Sequence, residues 1–177
     1  VVLSSDQIEG FKQHDHARSF QKISAVVEGG ATRAWSVRNG LNAAPETTNI
    51  VVVHDAVRPF VTCEEIDQTV RAAQAEGAAI LVSTPVDTIK EVQDGVVQRT
   101  VNRNTIRNAL TPQSFQVGLL RRAYEHVDAT DPELTDEAAL VERLGARIAI
   151  VEGSARNIKI TRPEDLRIAE AILKIST

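Results

Sequence analysis

Short runs of β-branched residues alternate with helical patterns along most of the chain, and that alternation confines the fold to βαβ units on a mostly parallel sheet. Val1–Leu3 and Ile23–Val27 read as strands, joined by a polar segment that holds His14 and His16. Thr32 is placed to cap a helix carrying Ala34, Val37, Leu41 and Ala44 on one face. Ile50–Val53 is an unbroken apolar run, the pattern of a strand covered on both faces. Thr62-Cys63-Glu64-Glu65 forms a capping box, and Ile66, Val70 and Ala73 continue from it at helical spacing. Ala78–Val82 is the next buried strand. Helices are expected over Val117–Val127 and Thr135–Leu144, the second closed by Gly145. Strands at Arg147–Val151 and Ile158–Ile160 lead to a last helix, capped by Thr161-Arg162-Pro163-Glu164, with Leu166, Ala169, Ile172 and Leu173 as its buried stripe.

The alternation breaks between about residues 89 and 105. There Asp94-Gly95, a hairpin turn signal, is flanked by Glu91-Val92 and Val96-Val97. A polar excursion of this kind stands off its domain as an arm, and such arms commonly pack on another subunit. With 177 residues and no linker, repeat or low-complexity segment, the expectation is one α/β domain over 1–177 with an arm at about 89–105.

Composition narrows the function classes. No apolar run approaches the roughly 18 to 20 residues needed to span a bilayer. A net charge of −4 argues against nucleic acid, which is usually met by a basic face, while a small anionic ligand needs only a few local cations. Cys63 is the only cysteine, so no intrachain disulfide forms; a reducing compartment is expected, the cytoplasm or, in a plant, the plastid. The chain contains no methionine and opens inside a strand pattern at Val1, so residues are expected to precede it.

Ligands of open parallel sheets bind beyond the carboxyl ends of the strands, and several polar clusters fall at such ends. Gly29-Gly30 lets backbone approach a ligand closely, and the helix after Thr32 offers N–H groups to an anion, with Arg33 and Ser36 in its first turn. A tight turn with a cap explains the same residues. His54-Asp55-Ala56-Val57-Arg58-Pro59 carries more chemistry: Asp55 can orient a hydroxyl or offer one oxygen to a divalent metal, and Arg58 can fork onto a phosphate. The alternative is an Asp55–Arg58 surface ion pair worth about 0 to 1 kcal/mol. His54 reads as structural. Lys159, between Ile158 and Ile160, faces away from both and can neutralise charge on a reacting phosphate, or can be an edge-strand lysine that discourages aggregation. Arg103 lies at the base of the arm, while Thr111-Pro112-Gln113 and Thr135-Asp136-Glu137 supply hydroxyls near turns. Zinc ligand spacing, a phosphate loop and a nucleophile elbow are all missing from the sequence.

Six motifs in order, GGATRAWSVRNGL, VVVHDAVRPF, PVDTIKEV, VNRNTIRNALTPQSF, LTDEAAL and VEGSARNIKITRPEDL, resemble the 2-C-methyl-D-erythritol 4-phosphate cytidylyltransferases from about Val1 to the C-terminus. HDAVRP and ALTPQ also occur in ribitol-5-phosphate cytidylyltransferases, whereas TDEA and NIKITRPED are more similar to the methylerythritol enzymes. The resemblance implies a Rossmann-like nucleotidyltransferase fold, with helices on both faces of the sheet and a β-arm exchanged within a homodimer. It implies attack of a sugar-alcohol phosphate on the α-phosphate of CTP, with Mg²⁺ present and pyrophosphate released. By motif position, Gly30, Arg33 and Ser36 would line the cytidine pocket, and Asp55 and Arg58 would sit between nucleotide and acceptor. Lys159 would bear on the α-phosphate, and Thr88, Arg103, Thr111 and Thr135 would hold the acceptor, some from the partner chain. Lys159, Asp55 and Arg103 are thus the expected catalytic residues, with Asp55 as a candidate metal contact.

Two departures from the family pattern stand out, Trp35 at a usually polar position and Asn102 in place of a common Asp before the arm arginine. Family members begin with a further strand and a Gly-rich loop bearing Arg and Lys; a chain starting at Val1 is expected to fold or turn over poorly without them. The rivals are a ribitol-5-phosphate enzyme and a non-catalytic nucleotide-binding or dimerisation module.

Overall fold

Local chemistry decides where the best-defined elements start and stop. In the computed structural model, which describes residues 1–14, 19–126, 131 and 134–175, Thr62 accepts the Glu65 N–H at 3.1 Å and Glu65 returns a carboxylate oxygen to the Thr62 N–H at 2.8 Å. This reciprocal box satisfies two otherwise orphaned donors and starts a helix over Cys63–Glu76. Gly77, at φ 94°, ends it. The Asp94-Gly95 turn has both residues at positive φ, 50° and 78°, as a two-residue hairpin requires.

In chain order the elements are β1 (Val2–Leu3), α1 (Ser5–Gln13), β2 (Val27–Glu28), α2 (Arg33–Asn42), β3 (Ile50–Val53), α3 (Cys63–Glu76), β4 (Ala78–Ser83), β5 (Lys90–Gln93) and β6 (Val96–Thr100). A 3₁₀ turn at Arg103–Thr105 precedes β7 (Asn108–Gln116), α4 (Val117–His126), α5 (Glu137–Arg143), β8 (Ala149–Glu152) and α6 (Pro163–Ile175). Helices on a mostly parallel sheet make this the expected α/β class.

The chain divides into two compact units. The first comprises residues 1–51 and 115–147. Its strands β1 and β2 pair in parallel, Val2 opposite Val27, and α1 and α2 pack on them. Helices α4 and α5 pack together around buried Leu120, Ala123, Leu140 and Val141. The second comprises residues 52–114 and 148–177 and holds most of the four-stranded sheet, whose order is β3-β7-β4-β8. There β4 and β8 run parallel, Ile80 opposite Ile150, and α3 packs on both. Ala78, Ala79 and Leu81 are fully buried.

The arm is as expected in form. Its strands β5 and β6 pair antiparallel, Lys90 opposite Thr100, and every residue of both is exposed, including Val92, Val96 and Val97.

Several expectations are corrected. Ile23–Val26 lies outside any strand, and β2 is only Val27–Glu28. The polar segment after β1 contains α1, whose only apolar side chains, Ile8 and Phe11, are half-buried, too short a stripe to announce a helix; His16 falls outside the described residues. β3 ends the sheet order and leaves Val52 exposed, so it is not covered on both faces. α4 ends its described span at His126, with Val127 outside the described residues. α5 begins at Glu137 rather than Thr135, because the Asp136 side chain accepts the Ala139 N–H and caps it. β8 is displaced by one or two residues from Arg147–Val151.

Ile158–Ile160 forms no strand; its backbone is held instead by Ile158 N–H to Arg156 O and Ile160 N–H to Val57 O, at 2.7 and 2.8 Å. The reach-back at α6 comes from Asp165, whose carboxylate accepts the Thr161 and Arg162 N–H groups, and these bonds hold it below the ordinary carboxylate range. Of the expected α6 stripe only Ala169 is buried, while Leu166 and Leu173 are more than half exposed.

Candidate active site

In the second unit, the end of β3 runs straight into the segment with the densest polar bonding. Beyond Val53 the chain turns so that the Arg58 N–H reaches the Asp55 carbonyl at 3.0 Å, which places the Asp55 carboxylate and the Arg58 guanidinium side by side. Arg58 Nε lies 3.7 Å from Asp55 Oδ2, and the two side chains are only 12% and 15% exposed. That burial removes the surface ion pair as an explanation. Lys159 Nζ approaches the same Oδ2 at 3.1 Å while its side chain stays 45% exposed. One largely buried carboxylate is therefore flanked by two cations, leaving a local excess of positive charge. Arg58 Nη1 donates to the Asn157 carbonyl at 2.8 Å, and its buried Nε has no hydrogen-bond partner among the described residues. That donor suits an incoming oxygen anion, since a buried N–H left unmade costs about 1–3 kcal/mol.

Thr111 is brought to the same place. Its hydroxyl accepts the Asp55 N–H at 3.1 Å and lies 3.0 Å from His54 Nδ1. Arg103 and Thr88 stand at the foot of the arm, apart from these bonds, where Arg103 Nη1 donates to the Val86 carbonyl at 2.8 Å. The Asn102 side chain accepts the Asn104 N–H and caps the 3₁₀ turn that begins at Arg103.

The nucleotide-side candidates belong to the first unit. Gly30 N–H donates to Ser36 Oγ at 3.0 Å, and Ser36 in turn donates to the Thr32 carbonyl at 3.0 Å. A Cβ on Gly30 would overlap the Trp35 Cβ, so only glycine lets the loop close this tightly on the helix start. Trp35 itself is 41% exposed. Arg33 Nη1 bonds both carboxylate oxygens of Glu137, at 2.9 and 2.7 Å. Tyr124 OH donates to Glu137 Oε1 at 3.2 Å. Glu137 is fully buried, and burial pushes its carboxyl up while the Arg33 charge pulls it back without cancelling. Burial first and then the Glu137 charge push the Tyr124 phenol far up. Thr135 is exposed, two residues ahead of this cluster.

Sequence reading missed Glu137 and Tyr124 as partners of Arg33. The signal available was Glu137 beside the cap residue Asp136, which reads equally well as a solvated first-turn acid.

As for a divalent metal, no three His, Cys, Asp or Glu side chains gather to hold one among the described residues. Asp55 offers a single carboxylate already engaged by Lys159 and facing Arg58. These residues do not fit a resident metal site.

A mostly parallel α/β fold with two cations gathered on an aspartate beyond a strand end is an arrangement suited to a phosphate-bearing ligand. The family model for 2-C-methyl-D-erythritol 4-phosphate cytidylyltransferase matches residues 1–175. Proteins of that name from Geobacter metallireducens and Syntrophus aciditrophicus are 41% and 45% identical to this chain over 178 and 177 residues, covering 98% of it and 77% and 75% of theirs. The crystal structure of 4-diphosphocytidyl-2C-methyl-D-erythritol synthase from Anaerococcus prevotii is similar with a TM-score of 0.89 at 32% identity, covering 98% of this chain and 80% of that one. That of the Thermus thermophilus 2-C-methyl-D-erythritol 4-phosphate cytidylyltransferase has a TM-score of 0.76 at 41% identity, covering 85% and 73%. The chain belongs to the 2-C-methyl-D-erythritol 4-phosphate cytidylyltransferase family. No helix among the described residues is long and apolar enough to cross a membrane.

Proposed function

We propose that this protein transfers a cytidylyl group from CTP to 2-C-methyl-D-erythritol 4-phosphate in isoprenoid precursor synthesis. An acceptor phosphate oxygen attacks the α-phosphorus, a phosphoanhydride forms, the α–β anhydride bond breaks and pyrophosphate leaves. Such a transfer asks mainly for in-line positioning and for cations where charge builds, with no protein nucleophile. The convergence of Lys159 and Arg58 on Asp55 supports this reading most. Lys159 is assigned to the α-phosphate, and Asp55 and Arg58 to the seam between nucleotide and acceptor. Thr88, Arg103, Thr111 and Thr135 are assigned to the acceptor. Gly30, Arg33 and Ser36 are assigned to the cytidine pocket, with Glu137 fixing how Arg33 presents its guanidinium. A divalent cation would arrive with CTP as part of the substrate, and no step is assigned to a metal held by this chain.

Residues 1–177 act as one nucleotidyltransferase domain, cytoplasmic or plastid in location, and dimerise through the arm at about 89–105. The exposed Val92, Val96 and Val97 on the arm support that dimer. Sedimentation at micromolar concentration is expected to give a dimer; a monomer would remove both the dimer and any acceptor contact supplied in trans.

Pyrophosphate release with CTP and each alcohol phosphate tests the reaction. Turnover with methylerythritol phosphate is expected to exceed that with ribitol 5-phosphate by about 10²-fold or more, as polar sites reject acceptors that leave donors unpaired. Equal rates would overturn the acceptor assignment, and no pyrophosphate with either would overturn the reaction.

A further inference from the structure

Four hydrogen bonds close a ring beneath Asp55 and Lys159. Thr111 Oγ1 meets His54 Nδ1 at 3.0 Å, and His54 Nε2 meets the Arg58 carbonyl at 3.0 Å. Arg58 Nη1 donates to the Asn157 carbonyl at 2.8 Å, and Asn157 Nδ2 donates to the Thr111 carbonyl at 2.9 Å. A carbonyl only accepts, so Nε2 carries the imidazole proton. The Thr111 oxygen takes the Asp55 N–H, which leaves its own proton to donate to Nδ1. Each ring nitrogen thus has one distinct task.

The ring joins the end of β3, the turn at residues 54–58, strand β7 and the loop that carries Lys159. Asp55 hangs from it one residue after His54, and Lys159 two residues after Asn157. Asn157 is 2% exposed, so its side chain is out of a solvated ligand's reach and acts on its neighbours.

We propose that His54 and Asn157 are positioning residues that hold the Lys159 amine opposite the Asp55 carboxylate, so that the lysine meets the reacting phosphate in the transition state. This rests on the assignment of Lys159 and Asp55 made above. A misplacement of about 1 Å in such a group can cost about 10²-fold in rate. Loss of the ring therefore lowers kcat more than it weakens CTP binding.

The test uses the intact enzyme with His54→Ala, His54→Gln, His54→Asn, Asn157→Ala and the His54→Ala/Asn157→Ala double variant, with Lys159→Ala as reference. Gln retains a donor in the Nε2 place and Asn an acceptor in the Nδ1 place, so each restores one bond. His54→Ala is expected to lose about 10- to 10²-fold in kcat with KM for CTP within about twofold, and the two amide variants to recover part of the loss. The double variant should be scarcely worse than its poorer parent, because both break one ring.

If Lys159→Ala is crippled while His54→Ala keeps the wild-type kcat, or loses only in KM, the positioning role is overturned and the function stands. Full activity of Lys159→Ala overturns both. Should His54→Ala not fold, the amide variants decide: wild-type kcat in both overturns the role, and a graded loss supports it.

Discussion

Lys159→Ala lowers kcat by about 10²- to 10³-fold and leaves the fold standing. Both halves of that expectation follow from where the lysine sits. Its amine is 3.1 Å from Asp55 Oδ2, at the one carboxylate on which Arg58 also converges. Charge gathered on a transferring phosphoryl group is best met by a cation already in place, since no reorganisation is then needed during the reaction. The side chain is 45% exposed, and the segment is held through backbone bonds at Ile158 and Ile160 rather than through the lysine stem. Truncation empties no core volume. The ion pair is half-solvated, so its loss costs stability about 0–1 kcal/mol.

Steady-state pyrophosphate release measures the rate, and a urea melt measures the fold. Lys159→Arg keeps the charge but replaces a compact ammonium with a broad fork, and is expected to recover only part of the rate. An unchanged kcat in a folded Lys159→Ala protein would remove the residue from the chemistry. A rise in KM for CTP alone would make Lys159 a binding contact that acts equally in the ground and transition states.

What the sequence made legible was what local chemistry fixes. The Thr62–Glu65 box, the Asp94-Gly95 turn and the apolar runs at β3 and β4 each carry their instruction within a few residues. β7 was not legible. Thr111-Pro112-Gln113 reads as turn chemistry, yet the strand is buried from Leu110 to Phe115. Its polar groups find partners far along the chain: Ser114 Oγ donates to Thr69 Oγ1 at 3.1 Å, and Thr111 binds His54 and Asp55. A buried polar group is tolerated only with such a partner, and no period in the sequence announces it. Lys159 shows the converse case: its alternation with two isoleucines reads as a strand, yet no strand exists there and the lysine instead reaches Asp55. The site followed the same division. Asp55 and Arg58 are three residues apart and visible as a pair, whereas Arg33 and Glu137 are 104 residues apart.

That distant pair carries the largest expected effect on stability. Glu137→Ala is expected to cost about 3 kcal/mol, because it removes the buried carboxylate that Arg33 bonds through both oxygens and takes from the buried Tyr124 hydroxyl its acceptor. The cost stays at the lower end for a broken buried pair, since the Arg33 side chain is 36% exposed and water can reach the guanidinium. In a chain of 177 residues this corresponds to a fall in Tm of about 6–12 °C.

Glu137→Gln separates shape from charge. The amide keeps an oxygen for Arg33, gives up the desolvated negative charge and should lose less than Ala. It also changes the pH dependence. Burial raises the Glu137 carboxyl above its ordinary 4.5 in the folded protein, against the opposing pull of Arg33, so the folded state holds this proton more tightly than the unfolded one. Its contribution is therefore full below the ordinary glutamate value and fades as pH rises through the raised one. Urea midpoints compared across that window should fall with rising pH more steeply in the wild type than in Glu137→Gln. Parallel profiles would show that the carboxyl titrates alike in both states. A Glu137→Ala protein as stable as the wild type would show that the pair balances its own desolvation and that the fold is held elsewhere.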